Sequence, residues 1–301
     1  ELLYLSLPPE ETFWGMLRHQ EFEISELSFS SYIIARSRGE DRFVAIPVFP
    51  SRVFRHSAIY INTRAGIRAP QDLKGKCVGV PEYQMTAAVW ARGLLQHEYG
   101  VAVQDVEWFT GGLEEPGRKE KLALTLPPSI RVRSIPSDRT LTEMLLEGEL
   151  EALITARAPS AFRRGDPRIA RLFPNYREVE ADYYRRTRIF PIMHTIVIRS
   201  DIYRAHRWLA RALYRAFEEA KQLAQRELFE VAALKVMHPW IVAEAESLHE
   251  LFGSDWWPYG LEPNRSTIET LIRYLAEQGL IERPIEPEAL FAPESLEMAK
   301  V

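Results

Sequence analysis

The amino-acid sequence predicts an α/β protein with substantially parallel sheets. Helix-like and strand-like segments alternate from one end of the chain to the other, which is typical of βαβ units. The chain has 301 residues, long for one domain and sufficient for two, and 46% of them are hydrophobic, which is ample for a sizeable core. Residues 72–90 show the pattern most clearly, because a short apolar strand passes directly into the first turn of a helix.

The strands are predicted from short apolar segments bounded by turn-forming residues. They cover residues 2–7, 22–27, 43–48, 57–61, 77–80, 106–109, 152–155 and 194–198. An arginine-bearing loop at 49–56 and a polar, proline-bearing loop at 111–128 lie between strands. No internal repeat, coiled coil or low-complexity segment is present in the sequence.

The helices are predicted from apolar residues at helical spacing and from capping residues. They cover residues 12–19, 32–37, 81–99 and 140–147. Ser200 and Asp201 cap a further long helix, whose apolar face is formed by Leu209, Leu213, Phe217, Ala220 and Ala224. The remainder is predicted to be helical, apart from an aromatic loop at 255–260.

The junction after the strand at 77–80 is a candidate anion site. Pro81 and Glu82 suit a first helical turn, which would present free backbone N–H groups beside Tyr83, Gln84 and Thr86. Free N–H groups and the helix dipole together attract an anion such as a carboxylate. The same pattern also fits any βα unit of an α/β protein.

Composition excludes several functional classes. The formal charge is −4, with 38 Lys+Arg against 42 Asp+Glu, so the chain lacks the basic field that nucleic-acid binding requires. Cys77 is the only cysteine, which rules out an intrachain disulfide and a cysteine zinc cluster. Its apolar surroundings favour a small buried hydrophobe over a nucleophile.

The sequence contains no segment that marks a membrane or a familiar cofactor. No apolar run reaches the length of a membrane span, and the first residues lack the order of a secretory signal, so a cytoplasmic protein is expected. Because the sequence opens without Met, residues upstream of Glu1 could hold such a signal. No phosphate loop, dinucleotide glycine fingerprint or HExxH zinc helix occurs, and no tight metal-ligand spacing appears.

Four segments together resemble a known family. Residues 49–62, 72–93, 183–194 and 255–269 are similar to the 4,5-dihydroxyphthalate decarboxylase family, and the resemblance extends over essentially the whole chain. The combination of FRHS, PEYQMT and IFPIMH is specific to that family, whereas DLKGK followed by VGV marks only the wider fold. Family members carry a further strand and loop before the position of Glu1.

The resemblance implies a two-lobed type II periplasmic-binding-protein-like fold with a ligand cleft between the lobes. Residues 1–62 and 191–301 would form lobe one, and residues 63–190 would form lobe two. It also implies removal of one carboxylate from 4,5-dihydroxyphthalate, giving protocatechuate and CO2 in bacterial phthalate degradation. No cofactor is expected, because a hydroxyl para to the departing carboxylate can push electrons into the ring. No metal ligands are assigned, and a dispersed metal site stays open.

The candidate site residues are assigned by the chemistry of that reaction. Arg52, Arg55 and Arg157 are candidate carboxylate clamps, since a guanidinium can form two parallel hydrogen bonds to a carboxylate; a surface position is the alternative for each. His56 and His194 are candidate proton carriers, because both could face the cleft and histidine titrates near neutral pH. Loss of either is predicted to lower turnover by about 10²–10⁴-fold.

Polar residues at the two helix starts complete the predicted site. Tyr83, Gln84 and Thr86 in lobe two, and Ser30 and Ser31 in lobe one, would bind the second carboxylate or the catechol oxygens. Helix capping is the alternative for the serines and is compatible with binding. Core packing is the expected role of the tryptophans, Trp90, Trp256 and Trp257.

Two other functions remain open from the sequence. A solute-binding protein that delivers an aromatic carboxylate to a transporter has the same fold, and fold alone does not decide function. A ligand-sensing regulatory domain is less favoured, because no DNA-binding helix pair precedes the lobes. The expected partner is a small aromatic dicarboxylate, with no nucleic acid or membrane, and the aromatic loop at 256–259 could form a homo-oligomer interface.

Overall fold

The computed structural model describes residues 3–296 as two sheets surrounded by helices. The strands are β1 (Ile24–Ser28), β2 (Phe43–Ile46), β3 (Ile59–Asn62), β4 (Cys77–Val80), β5 (Glu107–Thr110), β6 (Val132–Ser134), β7 (Ala152–Ile154), β8 (Ile169–Arg171) and β9 (His194–Arg199). The helices are α1 (Pro9–His19), α2 (Phe29–Ser37), α3 (Thr86–Tyr99), α4 (Leu141–Glu147), α5 (Ser160–Arg163), α6 (Tyr176–Thr187), α7 (Ser200–Ala205), α8 (Trp208–Glu227), α9 (Ile241–Phe252), α10 (Arg265–Glu277) and α11 (Pro293–Leu296).

The two sheets differ in strand direction. The larger sheet has the order β6-β5-β4-β7-β3-β8, in which β6, β5, β4 and β7 are parallel neighbours and β3 runs antiparallel to β7 and β8. The smaller sheet has the order β1-β9-β2 and is antiparallel throughout. The prediction of parallel sheets is therefore right for the core of the larger sheet and wrong for the smaller one. Apolar patterning identifies strands but carries no information on their direction.

The two sheets define two lobes, called here lobe one (smaller sheet) and lobe two (larger sheet). The chain crosses between them before Ile59 and again between Arg171 and His194. The predicted division assigned residues 57–62 to lobe one, whereas β3 pairs with β7 and β8 of lobe two. The outward crossing therefore lies in the loop that contains His56, not after residue 62.

Helix α3 packs the lobes together. It contacts α2 and α10, and its buried apolar residues belong to the same core as those of both neighbours. The indole Nε1 of Trp90 donates to the backbone oxygen of Ile192 at 2.9 Å, and its ring meets Tyr274 edge to face. The core role predicted for Trp90 is thus confirmed.

Three predicted elements differ from the structure. Residues 3–7 have no regular structure, and residue 2 lies outside the described residues. The helix after β4 begins at Thr86 and not at Pro81, because residues 81–85 form turns held by side chains of the 111–128 loop. The long helix predicted from Ser200 is broken between α7 and α8, where His206 leaves helical geometry.

The aromatic loop at 255–260 packs within its own chain. Trp256 is buried, and the Nε1 of Trp257 donates to the backbone oxygen of Phe49 at 2.8 Å. The prediction that this loop forms a subunit interface stays a prediction. Core packing, the role expected of both tryptophans, is confirmed for Trp256, whereas Trp257 is only partly buried.

Substitution of Gly93 by alanine is expected to destabilise the fold. A Cβ at this position would lie 2.0 Å from Cδ2 of Tyr274, so α3 and α10 would have to separate, at a cost of about 1–3 kcal/mol. Urea denaturation measures the change. In Gly93→Ala/Tyr274→Ala the ring is absent, so the two changes should be less than additive; full additivity would contradict the close packing.

Candidate active site

Four hydroxyl groups meet between the lobes, at the points where α2 and α3 begin. Thr86 Oγ1 lies 2.9 Å from Ser28 Oγ and 2.8 Å from Ser30 Oγ, and it accepts the backbone N–H of Ser30 at 3.1 Å. Ser31 Oγ donates to Ser28 Oγ at 3.2 Å. All four side chains are buried. This hydroxyl cluster brings Ser30, Ser31 and Thr86 together, as predicted, and adds Ser28.

His194 lies beside the hydroxyl cluster. It is the first residue of β9 and pairs with Ser28 on β1, so the two side chains project from the same face of the smaller sheet. Its Nδ1 lies 2.6 Å from Oε1 of Glu26, and the edge of its ring contacts Phe13 of α1 with centroids 4.7 Å apart. The side chain remains 20% exposed. Strand pairing thus places a histidine at the edge of the cluster.

Tyr83 and Gln84 do not present the free amides that the sequence suggests. Their backbone N–H groups both donate to the carboxylate of Glu120, and Gln84 Nε2 donates to the same carboxylate at 3.0 Å. Burial raises the pKa of Glu120 above its usual value, although these donated bonds act in the opposite direction. The protein's own carboxylate therefore occupies the anion site predicted at this turn.

The side chains of Tyr83 and Gln84 also lie in the protein interior. Both are fully buried, and the guanidinium of Arg92 lies 3.9 Å from the centre of the Tyr83 ring. The Gln84 backbone oxygen accepts from Ser30 Oγ at 2.6 Å, so this residue supports the hydroxyl cluster through its main chain. Glu82, also buried, is paired with Arg118 and Lys121 and ties the 111–128 loop to this turn.

Arg52 is a structural residue and not a surface or clamp residue. Its guanidinium donates to Asn264 Oδ1 at 2.8 Å and to the backbone oxygens of Phe190 and Pro258 at 2.7 and 3.2 Å. Burial lowers the pKa of Arg52 to about 9, which leaves the group charged at neutral pH. Its donors join the interlobe crossing to the aromatic loop, so the predicted contact with a substrate carboxylate is not supported by the structure.

Arg55 and His56 lie in the crossing segment and are buried. Arg55 Nε contacts Sδ of Met193 at 3.1 Å, and burial lowers the pKa of Arg55 to about 10, partly offset by Glu180. The ring of His56 is surrounded by aromatic rings, those of Tyr99, Phe173 and Tyr183. Burial, with a smaller contribution from Arg186, lowers the pKa of His56 to about 4.

The two candidate histidines are not brought together. His56 contacts Tyr99, the last residue of α3, whereas His194 lies beside the cluster centred on Thr86, the first residue of that helix. Fourteen residues of α-helix span about 20 Å. The prediction that both histidines converge on one cleft is wrong, because the crossing segment turns the His56 ring into an aromatic pocket.

Arg157 spans the lobes at the surface. It follows β7 of lobe two, and its Nη2 donates to Oε2 of Glu10 on α1 of lobe one at 2.7 Å. Its side chain is 65% exposed, so the ion pair is solvent-screened and contributes little stability. A clamp role for Arg157 remains a prediction, and it requires a substrate carboxylate to replace Glu10.

Glu26, like Ser28, lies at the candidate site but was not among the residues predicted from the sequence. On β1 the side chains of Glu26 and Ser28 are two residues apart and therefore share one face of the strand. The available signal was strand alternation, which puts Glu26 on the same face as Ser28. The sequence does not show that β1 pairs with β9, so it did not connect Glu26 with His194.

No metal site or membrane-spanning helix is present between residues 3 and 296. No group of three or more His, Cys, Asp or Glu side chains in that range is placed to hold a metal ion. No helix there is both long enough and apolar enough to cross a bilayer.

Comparison with solved structures identifies the fold. The chain superimposes on the periplasmic aliphatic sulphonate binding protein SsuA from Escherichia coli with a TM-score of 0.52 and 12% identity, covering 96% of this chain and 85% of that one. It superimposes on desulfurization enzyme DSZB with a TM-score of 0.51 and 14% identity, covering 97% and 93%. The protein therefore has the two-lobed type II periplasmic-binding-protein-like fold, which these neighbours use for binding in one case and catalysis in the other.

Sequence comparison identifies the family. The chain is 41% identical to 4,5-dihydroxyphthalate decarboxylase of Comamonas testosteroni over 299 residues, 99% of this chain and 91% of that protein. It is 45% identical to 4,5-dihydroxyphthalate decarboxylase of Pseudomonas putida over 183 residues, 61% of this chain and 71% of that protein. A scan against protein-family models found no match. The chain belongs to the 4,5-dihydroxyphthalate decarboxylase family, whose named members are carboxy-lyases.

Replacement of Thr86 by valine is expected to weaken the contact between the lobes. Valine keeps the shape but removes the oxygen that accepts the Ser30 N–H, and a buried donor left unpaired costs about 1–3 kcal/mol. Urea denaturation measures the loss. Thr270→Val on α10, at a buried position outside the cluster, is the matched control and should lose less. Equal losses of unfolding free energy in the two variants would show that the Thr86 oxygen is not needed for the contact between the lobes.

Replacement of Glu120 by glutamine is expected to stabilise the protein increasingly as the pH rises. A carboxyl whose pKa is raised on folding contributes fully below its unfolded pKa of about 4.3, and this contribution is lost as the pH rises through the folded pKa. Glutamine keeps an acceptor for Tyr83 and Gln84 without a charge. Denaturation at pH 5 and pH 8 tests this, with Glu115→Gln, exposed in the same loop, as control. If the difference in unfolding free energy between Glu120→Gln and wild type does not grow from pH 5 to pH 8, the raised pKa of Glu120 is contradicted.

Proposed function

We propose that this protein decarboxylates 4,5-dihydroxyphthalate to protocatechuate and CO2, with His194 as the proton carrier. Membership of the family supports the substrate and the reaction. The observation that carries the assignment of the site is the position of His194, partly exposed and paired with Glu26, beside buried hydroxyls contributed by both lobes.

The hydroxyl cluster is the proposed binding site for the carboxylate that the product retains. Helices α2 and α3, of 9 and 14 residues, both begin at the cluster, and the positive ends of their dipoles favour an anion there. The hydroxyls of Ser28, Ser30 and Thr86 now satisfy one another. Because a hydroxyl can donate as well as accept, they can turn toward a carboxylate without leaving their positions.

The departing carboxylate is placed toward His194. Protonation of the ring carbon that bears it, with electron density supplied by the para hydroxyl, gives a non-aromatic intermediate. Cleavage of the carbon–carbon bond then releases CO2, and the bonding pair returns to the ring and restores aromaticity. One proton enters at carbon for each CO2 released. A histidine suits this step because its ordinary pKa of about 6.5 allows it to give and regain a proton near neutral pH.

His194 fits the role of proton donor better than His56. The pKa of His56, at about 4, leaves its ring neutral at neutral pH, so it holds no imidazolium proton to donate. The aromatic rings around it also separate it from the cluster. By contrast, Nε2 of His194 makes no hydrogen bond to another residue between 3 and 296 and belongs to a partly exposed side chain.

Incubation with 4,5-dihydroxyphthalate is expected to yield equal amounts of CO2 and protocatechuate. His194→Gln should lower kcat by about 10²–10⁴-fold, the usual contribution of a positioned acid–base group. His97→Gln is the control, because His97 is also paired with a glutamate, Glu277, but on the surface of α3. His56→Gln should affect stability more than kcat.

Two outcomes would contradict the proposal. Stoichiometric binding of the substrate without product would favour a solute-binding protein, the function of the sulphonate-binding structural neighbour. Wild-type turnover in His194→Gln would retain the activity but remove His194 from the proton transfer.

A further inference from the structure

We infer that Glu26 is a positioning residue, which holds His194 through Nδ1 so that Nε2 carries the transferable proton. The inference rests on the proposed function, since it concerns the proton step of that reaction. The inference adds Glu26 to the proposed function. Glu26 belongs to lobe one, was not among the predicted site residues and does not itself need to touch the substrate.

The register of β1 against β9 brings the side chains of Glu26 and His194 together. β1 and β9 are antiparallel, with Ser28 opposite His194 and Glu26 opposite Ile196. Glu26 and Ser28 therefore share a face with His194, and Glu26 is its diagonal neighbour, at a spacing that long side chains can bridge. The resulting distance of 2.6 Å between Oε1 and Nδ1 is typical of a short, charge-assisted hydrogen bond.

Phe13 fixes the imidazole from a second direction. Its ring meets the His194 ring at an interplanar angle of 82°, an edge-to-face contact, and α1 packs against β1. With Nδ1 held by Glu26 and the ring braced by Phe13, rotation of the imidazole is restricted. Nε2 is then the nitrogen that a ligand can reach.

The groups around this pair do not compete with His194 for the Glu26 carboxylate. Between residues 3 and 296, Glu26 forms an ion pair with His194 alone. Tyr259, from the aromatic loop, lies close enough to Glu26 for that carboxylate to contribute to its raised pKa, which burial chiefly brings to about 12, so its hydroxyl is neutral at the working pH. Glu10, one turn before Phe13 on α1, is paired with Arg157.

The proton balance assigns a definite tautomer. Transfer of the Nε2 proton to the ring carbon leaves a neutral imidazole that keeps its proton on Nδ1, hydrogen-bonded to Glu26. Nε2 then accepts the next proton from solvent or from a substrate hydroxyl. Without the carboxylate, the neutral ring can hold its proton on Nε2 instead, and the acceptor is lost from the reacting side.

Glu26→Gln tests the inference. We expect kcat to fall at least about tenfold, within the range of a positioned acid–base group, with a smaller change in KM. In this variant the neutral imidazole of His194 should no longer be held with its proton on Nδ1. Purely structural loss would lower kcat without changing that tautomer. Glu277→Gln, which removes the carboxylate from the surface His97 pair of similar length, is the matched control and should change neither quantity.

A measurement independent of turnover covers the case in which Glu26→Gln folds poorly. In nitrogen-15 NMR of the wild-type protein, the imidazole of His194, assigned by its loss in His194→Gln, should carry its neutral-form proton on Nδ1. In Glu26→Asp, which keeps the charge on a shorter side chain, kcat should lie between those of wild type and Glu26→Gln.

Two results would overturn the role of Glu26. One is an unchanged kcat in Glu26→Gln, and the other is a neutral His194 with its proton on Nε2 in the wild type. If the wild-type protein makes no protocatechuate, the proposed function fails, whereas the NMR result still decides whether Glu26 sets the tautomer.

Discussion

The contact between the N-terminal ends of α2 and α3 is the constraint on which the site depends. Two helix starts that face each other bring two positive dipole ends together, and this is unfavourable unless oxygen atoms lie between them. Thr86 and the serines at the start of α2 supply those oxygens. The same arrangement that holds the lobes together therefore creates a buried position suited to a carboxylate.

Several other charged groups near the cleft are already paired or hydrogen-bonded within the protein. Arg52 uses its donors on backbone and amide oxygens, Glu82 is enclosed by Arg118 and Lys121, and Glu120 occupies the turn amides of Tyr83 and Gln84. A buried charge is tolerated only when it is paired or hydrogen-bonded. Arg52 is for this reason structural, whereas Arg157 stays a candidate clamp and Nε2 of His194 makes no hydrogen bond to another described residue.

The fold is compatible with either binding or catalysis, so the difference must lie in side chains. The sulphonate-binding protein and the desulfurization enzyme match this chain at nearly the same TM-score. A binder needs anion contacts, which the hydroxyl cluster offers. A decarboxylase needs in addition a proton carrier held in one orientation. In the proposed mechanism this is His194, which strand pairing places against Glu26 and which α1 contacts through Phe13. The proposed function thus depends on the register of two short strands.

The sequence by itself determined the α/β class, the position of β4, the core role of Trp90, and the family, because these depend on local patterns and on motifs that are contiguous in the chain. It also indicated that Ser30, Ser31, Thr86 and His194 belong to a site.

Only the tertiary structure decided which residues meet. Strand direction, the pairing of Ser28 with His194, the capture of the turn amides by Glu120 and the burial of His56 all join residues far apart in sequence. Such contacts are set by tertiary packing, and no local propensity encodes them.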